Sequence, residues 1–186
     1  MKKKNYHVYF GDIRINVCFS GVMSEKADVC LVPQFGSGIS LTGVSAAFIH
    51  SMARNSIIDY QEFAKDKKLE PGTAFISACQ GDNYRYLAHI SILKHENPPK
   101  EQVKKDTFYS IFAGLEAALS VKAKSVVIPS VNTGSNGGLN YEESATATFN
   151  AISAFSKKNK SIKEITIALK TEYAFKTYLK ALSKLI

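Results

Sequence analysis

The feature that most constrains the fold is the alternation of short apolar runs with helix-length amphipathic stretches in the last third of the chain. Ser125 to Ile128 is apolar, Tyr141 to Ser156 keeps helical spacing, Ile162 to Leu169 is apolar again, and Glu172 to Leu185 is amphipathic. Strands separated by helices of this length are joined by crossovers, so they run parallel, and a parallel sheet has to be covered on both faces. The pattern predicts an α/β protein, a three-layer α/β/α sandwich around a central mixed, largely parallel sheet.

Upstream, Ile13, Ile15, Val17 and Phe19 alternate with Arg14, Asn16, Cys18 and Ser20, the period of a strand with one buried face. Gly11-Asp12 within this extended stretch is a type II′ hairpin signal. Val29 to Val32 reads as a central strand, Pro33 to Gly43 as a loop, and Val44 to Met52 and Ser56 to Lys67 as helices. Thr73 to Ala78 and Tyr86 to Leu93 follow as strands. Pro99 opens a long helix in which Phe108, Ile111, Phe112, Leu115, Ala118 and Leu119 form one apolar stripe. With no repeat and no Pro/Gly/Ser linker, residues 1–186 are expected to form one domain, residues 5–20 being its N-terminal strand or hairpin.

Charge and cysteine usage narrow the function class. The 24 Lys and Arg against 16 Asp and Glu give a formal charge of +8, which favours anionic partners. Much of that excess sits in lysine clusters at expected helix ends and loops, without interleaved stacking aromatics, so nucleic acid is a possible partner but not the favoured one. No apolar run nears the roughly 18–20 residues of a membrane span, and no membrane partner is expected. Lys2 to Lys4 lead into polar and aromatic residues rather than the apolar core of an export signal. Cys18, Cys30 and Cys79 are odd in number and widely spaced, so the expectation is reduced thiols in a cytoplasm, with neither a metal nor a cofactor.

In open α/β sheets, ligands lie beyond the carboxyl ends of the strands, where loops enter helix N-termini. Two glycine-rich loops fall there. The first contributes Phe35, Gly36, Ser37, Gly38, Gly43 and Val44, and the second Asn132, Thr133, Gly134, Ser135, Asn136 and Gly137. Glycines let main-chain N–H groups approach an anion without a Cβ in the way, and the positive end of a helix dipole adds to the attraction. A phosphate-bearing ligand follows. The loops match neither a P-loop, for want of Gly-Lys-Ser/Thr, nor a dinucleotide fingerprint, because Leu41 stands where a small residue is required.

Val126-Val127-Ile128-Pro129-Ser130-Val131-Asn132-Thr133-Gly134 resembles the strand, proline and phosphate loop of the macro domain family, which binds ADP-ribose. Asp28-Val29-Cys30-Leu31-Val32 leading to Gly43-Val44 is similar to the family's first phosphate loop, and the segments from Pro71 to Phe175 fall in the family's order. The resemblance implies a domain that binds ADP-ribose or an ADP-ribosylated macromolecule through both loops. An ADP-ribosyl hydrolase or ADP-ribose 1″-phosphate phosphatase is the first alternative, and an RNA-binding or scaffolding module the second. By resemblance, Asp12 and Ile13 of Gly11-Asp12-Ile13 would meet the adenine, Tyr173 or Phe175 would pack against it, and Lys94 with Asn136 would stand at the catalytic positions. The sequence also departs from the family. Val32-Pro33-Gln34-Phe35 replaces an Asn-Ala-Ala-Asn stretch, Ser45 stands where many hydrolytic members carry aspartate, and Asn136 is an amide where a carboxylate is used, leaving Asp82 or Glu142 as substitutes.

Overall fold

The computed structural model describes residues 5–36, 43–51, 53–67, 69–92, 98–134, 137–158 and 161–185. The first two strands, β1 (Asn5–Phe10) and β2 (Ile13–Phe19), form an antiparallel hairpin, and Gly11 at its turn takes the positive φ of +58° that the two-residue loop needs. Ile13, Ile15 and Val17 are fully buried as the alternation requires. The opposite face is less open than alternation alone implies, because Asn16 Nδ2 donates to Glu164 Oε1 at 2.7 Å and draws that side chain in.

Then come β3 (Ala27–Gln34), α1 (Gly43–Ile49), α2 (Arg54–Ala64), β4 (Ala74–Ala78) and β5 (Tyr84–Ser91). The third strand runs past the expected loop start: Pro33 and Gln34 stay in register with Ile90 and Ser91 of β5. The chain continues through α3 (Lys100–Ser120), β6 (Ser125–Pro129), α4 (Tyr141–Ser156), β7 (Glu164–Leu169) and α5 (Glu172–Leu182). Asn140 caps α4 in a reciprocal box, its side chain accepting from the Glu143 N–H at 2.9 Å while its own N–H donates to Glu143 Oε2 at 3.0 Å.

The seven strands lie in the order β1-β2-β7-β6-β3-β5-β4. Only the two outer pairs are antiparallel, and the five inner strands β2, β7, β6, β3 and β5 run parallel. Helices α3, α4 and α5 cover one face, where Ile111, Leu115, Phe149, Ile152 and Tyr178 meet Ile15, Leu31, Ile128 and Ile167. Helices α1 and α2 cover part of the other, where Phe48 and Ile57 meet Cys30, Val32, Leu87 and Val127. This is the expected three-layer α/β/α sandwich. At the amino edge the Asp28 carboxylate accepts from the Lys124 N–H at 2.7 Å, tying the start of β6 to β3. Among the described residues no helix is long and apolar enough to cross a membrane.

Candidate ligand-binding site

Parallel strands bring the ends of β3, β6, β7 and β2 to one edge, and a cleft of about 690 Å³ opens there. Pro33, Phe35, Gly43 and Val44 line one side, and Ser130, Asn132, Thr133, Gly134 and Gly137 the other. The described residues of the two loops singled out in the sequence therefore line one cavity. Ser37, Gly38, Ser135, Asn136 and Lys94 lie outside the described residues.

The second loop is held from beneath. Asn132, which lines the cleft, has a φ of +59° and donates from Nδ2 to Thr107 Oγ1 at 2.7 Å, which ties this turn of the loop to α3. Ser144 Oγ donates to the Val131 carbonyl at 2.6 Å and lies 2.8 Å from the Tyr178 hydroxyl, fixing the loop to α4 and α5. The glycines differ in what they are for. A Cβ on Gly137 would lie 2.2 Å from the Asn132 backbone, so the turn itself demands glycine there. A Cβ on Gly134 would meet no atom of the described residues within 4 Å, and its φ is not positive, so neither strain nor a contact with the described residues requires a glycine at that exposed position. On the other wall Gly43 opens α1 with a φ of +63°.

Gly36 departs from the expectation. It is buried, its carbonyl accepts from the Leu69 N–H at 2.9 Å, and a Cβ would lie 2.0 Å from the Leu69 carbonyl oxygen. Close packing accounts for this glycine, and it does not line the cleft. Beneath the same loop runs a buried polar chain. Ser45 Oγ donates to Gln34 Oε1 at 3.1 Å, and Gln34 Nε2 lies 3.3 Å from His89 Nδ1. With Gln34 Oε1 turned to Ser45, its amide nitrogen is the donor to Nδ1. His89 Nε2–H is then left to donate to Ser77 Oγ at 3.1 Å or Ser56 Oγ at 3.2 Å. The imidazole stacks on Tyr60 with ring centroids 4.9 Å apart, and the Tyr60 hydroxyl donates to the Phe35 carbonyl at 3.0 Å. Burial pushes the His89 pKa down to about 3 and holds the ring neutral. The chain pins β3, α1, α2 and β5 together, and so fixes the cleft wall that Phe35, Gly43 and Val44 form.

Neither a family model nor a curated protein matches this sequence. Solved structures do match. The Oceanobacillus iheyensis macrodomain with ADP is 19% identical, with 100% of this chain and 98% of that one covered and a TM-score of 0.86. A mutant of the same macrodomain with ADPR is also 19% identical, with 98% of each chain covered and a TM-score of 0.85. The macrodomain of Mycobacterium tuberculosis DarG is 14% identical, covering 80% of this chain and 93% of that one at a TM-score of 0.65.

The fold is that of a macrodomain.

Within the macrodomain fold, several residues picked by resemblance stand away from the cleft. Asp12 occupies the β1–β2 turn and Ile13, fully buried, follows it, both at the amino end of β2 and hence at the opposite edge of the sheet. The carboxyl end of β2 instead brings Gly21, Val22, Met23 and Ser24 to the cleft. The same Gly-X-apolar pattern recurs there as Gly21-Val22-Met23, without a carboxylate. Tyr173 is 71% exposed, sits edge-on to Tyr141 at 5.7 Å and does not line the cleft, while Phe175 packs into the core against Phe19. Asp82 lies between β4 and β5 at the far edge, and Glu142 pairs with Lys184 at 2.5 Å on the helical face. Neither carboxylate reaches the cavity.

Lys170 was not singled out from the sequence, although it directly follows β7 at a strand-to-helix junction, the kind of position that flagged both loops. It lines the cleft. None of the described lining residues is Asp, Glu, His or Cys. Among the described residues no group of three or more His, Cys, Asp or Glu converges to hold a metal ion.

Proposed function

We propose that this protein binds ADP-ribose, free or attached to a macromolecule, in the cleft at the carboxyl edge of its sheet. Main-chain N–H groups from Gly43 and Val44 on one side and from Asn132 to Gly134 on the other face the diphosphate. The carrying observation is Gly134, a cleft glycine that neither backbone strain nor packing against the described residues explains. A ligand pressed against the backbone at that point would explain it. The macrodomain fold, shared with structures solved with ADP and with ADPR, supports the same ligand. The described cleft walls offer amides, hydroxyls and one lysine but no carboxylate or imidazole, which favours binding over general acid–base hydrolysis.

Calorimetry with ADP-ribose tests the reading. The full chain is expected to bind, and Gly134→Glu to abolish binding while unfolding at the wild-type temperature, because the new carboxylate has room in the fold but repels the phosphates. No heat at millimolar ADP-ribose, or unchanged affinity in Gly134→Glu, overturns it.

A further inference from the structure

We propose that the amino edge of the sheet, opposite the cleft, is a second binding surface, and that it holds the phosphate backbone of a nucleic-acid duplex. The inference does not depend on what the cleft binds. In sequence the cations of this edge are scattered over separate segments and form no continuous footprint. Strand order lines them up. The inner strands run β2-β7-β6-β3-β5, and at their amino ends stand Arg14, Lys163, Lys124, Lys26 and Arg85 in turn, one to a strand and all exposed. Arg14 and Ser125 both pair with Glu164, Val29 pairs with Val126, and Ala27 with Tyr84, so the register keeps these cations within about two residues of one line across the sheet. Neighbouring strands lie about 4.8 Å apart, which makes the row about 19 Å long. That length of duplex axis carries about five phosphates of one strand, at about 3.4 Å each.

The acids of this edge leave the row uncompensated. The Asp28 carboxylate accepts from the Lys124 and Ser125 N–H groups at 2.7 and 3.2 Å, and Glu164 accepts from Asn16 at 2.7 Å. Glu25 is buried, and Asp12 and Asp82 lie in the turns beyond either end of the row. Arg85 reaches Asp28 at 3.7 Å yet stays 73% exposed, while Arg14, Lys26, Lys124 and Lys163 make no ion pair with the described residues. Lys105 and Lys180 are unpaired too, but they stand singly on α3 and α5, outside the row. Exposed Lys122, Lys157 and Lys158 follow α3 and α4 into β6 and β7 and add to the charge of the edge, with Glu116 the one acid in the last turn of either helix. Lys122 has a φ of +57°, where glycine is the ordinary residue after a helix, so the backbone does not ask for a lysine there. A line of like charge at strand spacing attracts a polyanion rather than a single small anion. Tyr9, opposite Arg14, is the one large apolar residue exposed beside the row, too few to stack successive bases, which favours a duplex over a single strand.

Fluorescence anisotropy of the full chain with DNA and RNA duplexes of about 20 base pairs, over a series of salt concentrations, counts the phosphates engaged. Five contacts predict a slope of log K against log salt of about −4.5 for DNA, and Lys124→Gln with Lys163→Gln should reduce it to about −2.7. Lys105→Gln with Lys180→Gln removes the same charge from outside the row and should keep the wild-type slope. Lys122→Gly should weaken binding without lowering the unfolding temperature, and unchanged affinity there overturns its part. Saturating ADP-ribose should leave duplex affinity unchanged, because the cleft lies at the other edge. The tighter of the two duplexes identifies which sugar backbone is held. No duplex binding, a slope unchanged in Lys124→Gln with Lys163→Gln, or an equal fall in the control pair overturns the assignment. So does competition by ADP-ribose, tighter binding of a single strand of the same length, or binding to anionic phospholipid vesicles in place of the duplex.

Discussion

Lowering the pH from 7 to 5 should remove about 2 kcal/mol of folding stability through His89 alone. The ring is fully buried between Gln34, Ser56 and Ser77 and stacked on Tyr60, with no acid among these neighbours to stabilise an imidazolium. Its pKa is about 3 in the fold, against roughly 6.5 in the unfolded chain. Because the folded value is the lower one, the unfolded state binds the proton first. The contribution is fully present above about pH 6.5 and drains as the pH falls toward 3, at close to 1.4 kcal/mol per unit. At pH 5 the loss is the same for any folded value below about 4, so it depends on burial rather than on the detail of the shift. Urea unfolding of the wild type and of His89→Gln at both pH values checks it. The wild type should lose about 2 kcal/mol more than the variant. Equal losses would refute the reasoning, as would an imidazole NMR signal from His89 that titrates between pH 5 and 8 in the folded protein.

Gly36→Ala should destabilise the fold by about 1–3 kcal/mol or more, since its Cβ falls 2.0 Å from a backbone oxygen; Gly134→Ala, with open space, should change stability by less than about 0.5 kcal/mol, and thermal unfolding separates the two. Asn140→Ala removes one half of the α4 capping box and should cost about 1 kcal/mol in urea unfolding, with secondary structure retained by circular dichroism. Asp12→Asn should leave ADP-ribose affinity within twofold of wild type by calorimetry, because the turn it occupies lies at the other edge of the sheet.

Much of the architecture was legible because it rests on local periodicity. The α4 boundaries at Tyr141 and Ser156 follow from apolar spacing, a short-range property. Strand β3 ran on through Pro33 because pairing with β5 outweighs the loop propensity of proline. The site was half legible. Gly43 and Gly134 stand where the strand–loop–helix rule puts them, but Gly36 looks the same in sequence and is a packing glycine, since only the fold brings the Leu69 carbonyl against it. Asp12 stands away from the cleft for a related reason: a Gly-Asp-Ile match says nothing about which end of a strand it marks, and only the parallel pairing of β2 with β7 puts the turn at the other edge of the sheet.

The sequence by itself determined the elements and the layer they belong to, because hydrophobic period and helix-length crossovers leave a covered, largely parallel sheet as the consistent solution. Tertiary structure decided everything that depends on distance across the chain. It brought Lys170 and the Gly21–Ser24 turn to the cleft beside the loops, and it joined Ser45, Gln34, His89, Ser56 and Ser77 into one buried chain. These residues are far apart in sequence and carry no shared pattern. What unites them is strand order, which sets neighbours by pairing rather than by succession along the chain.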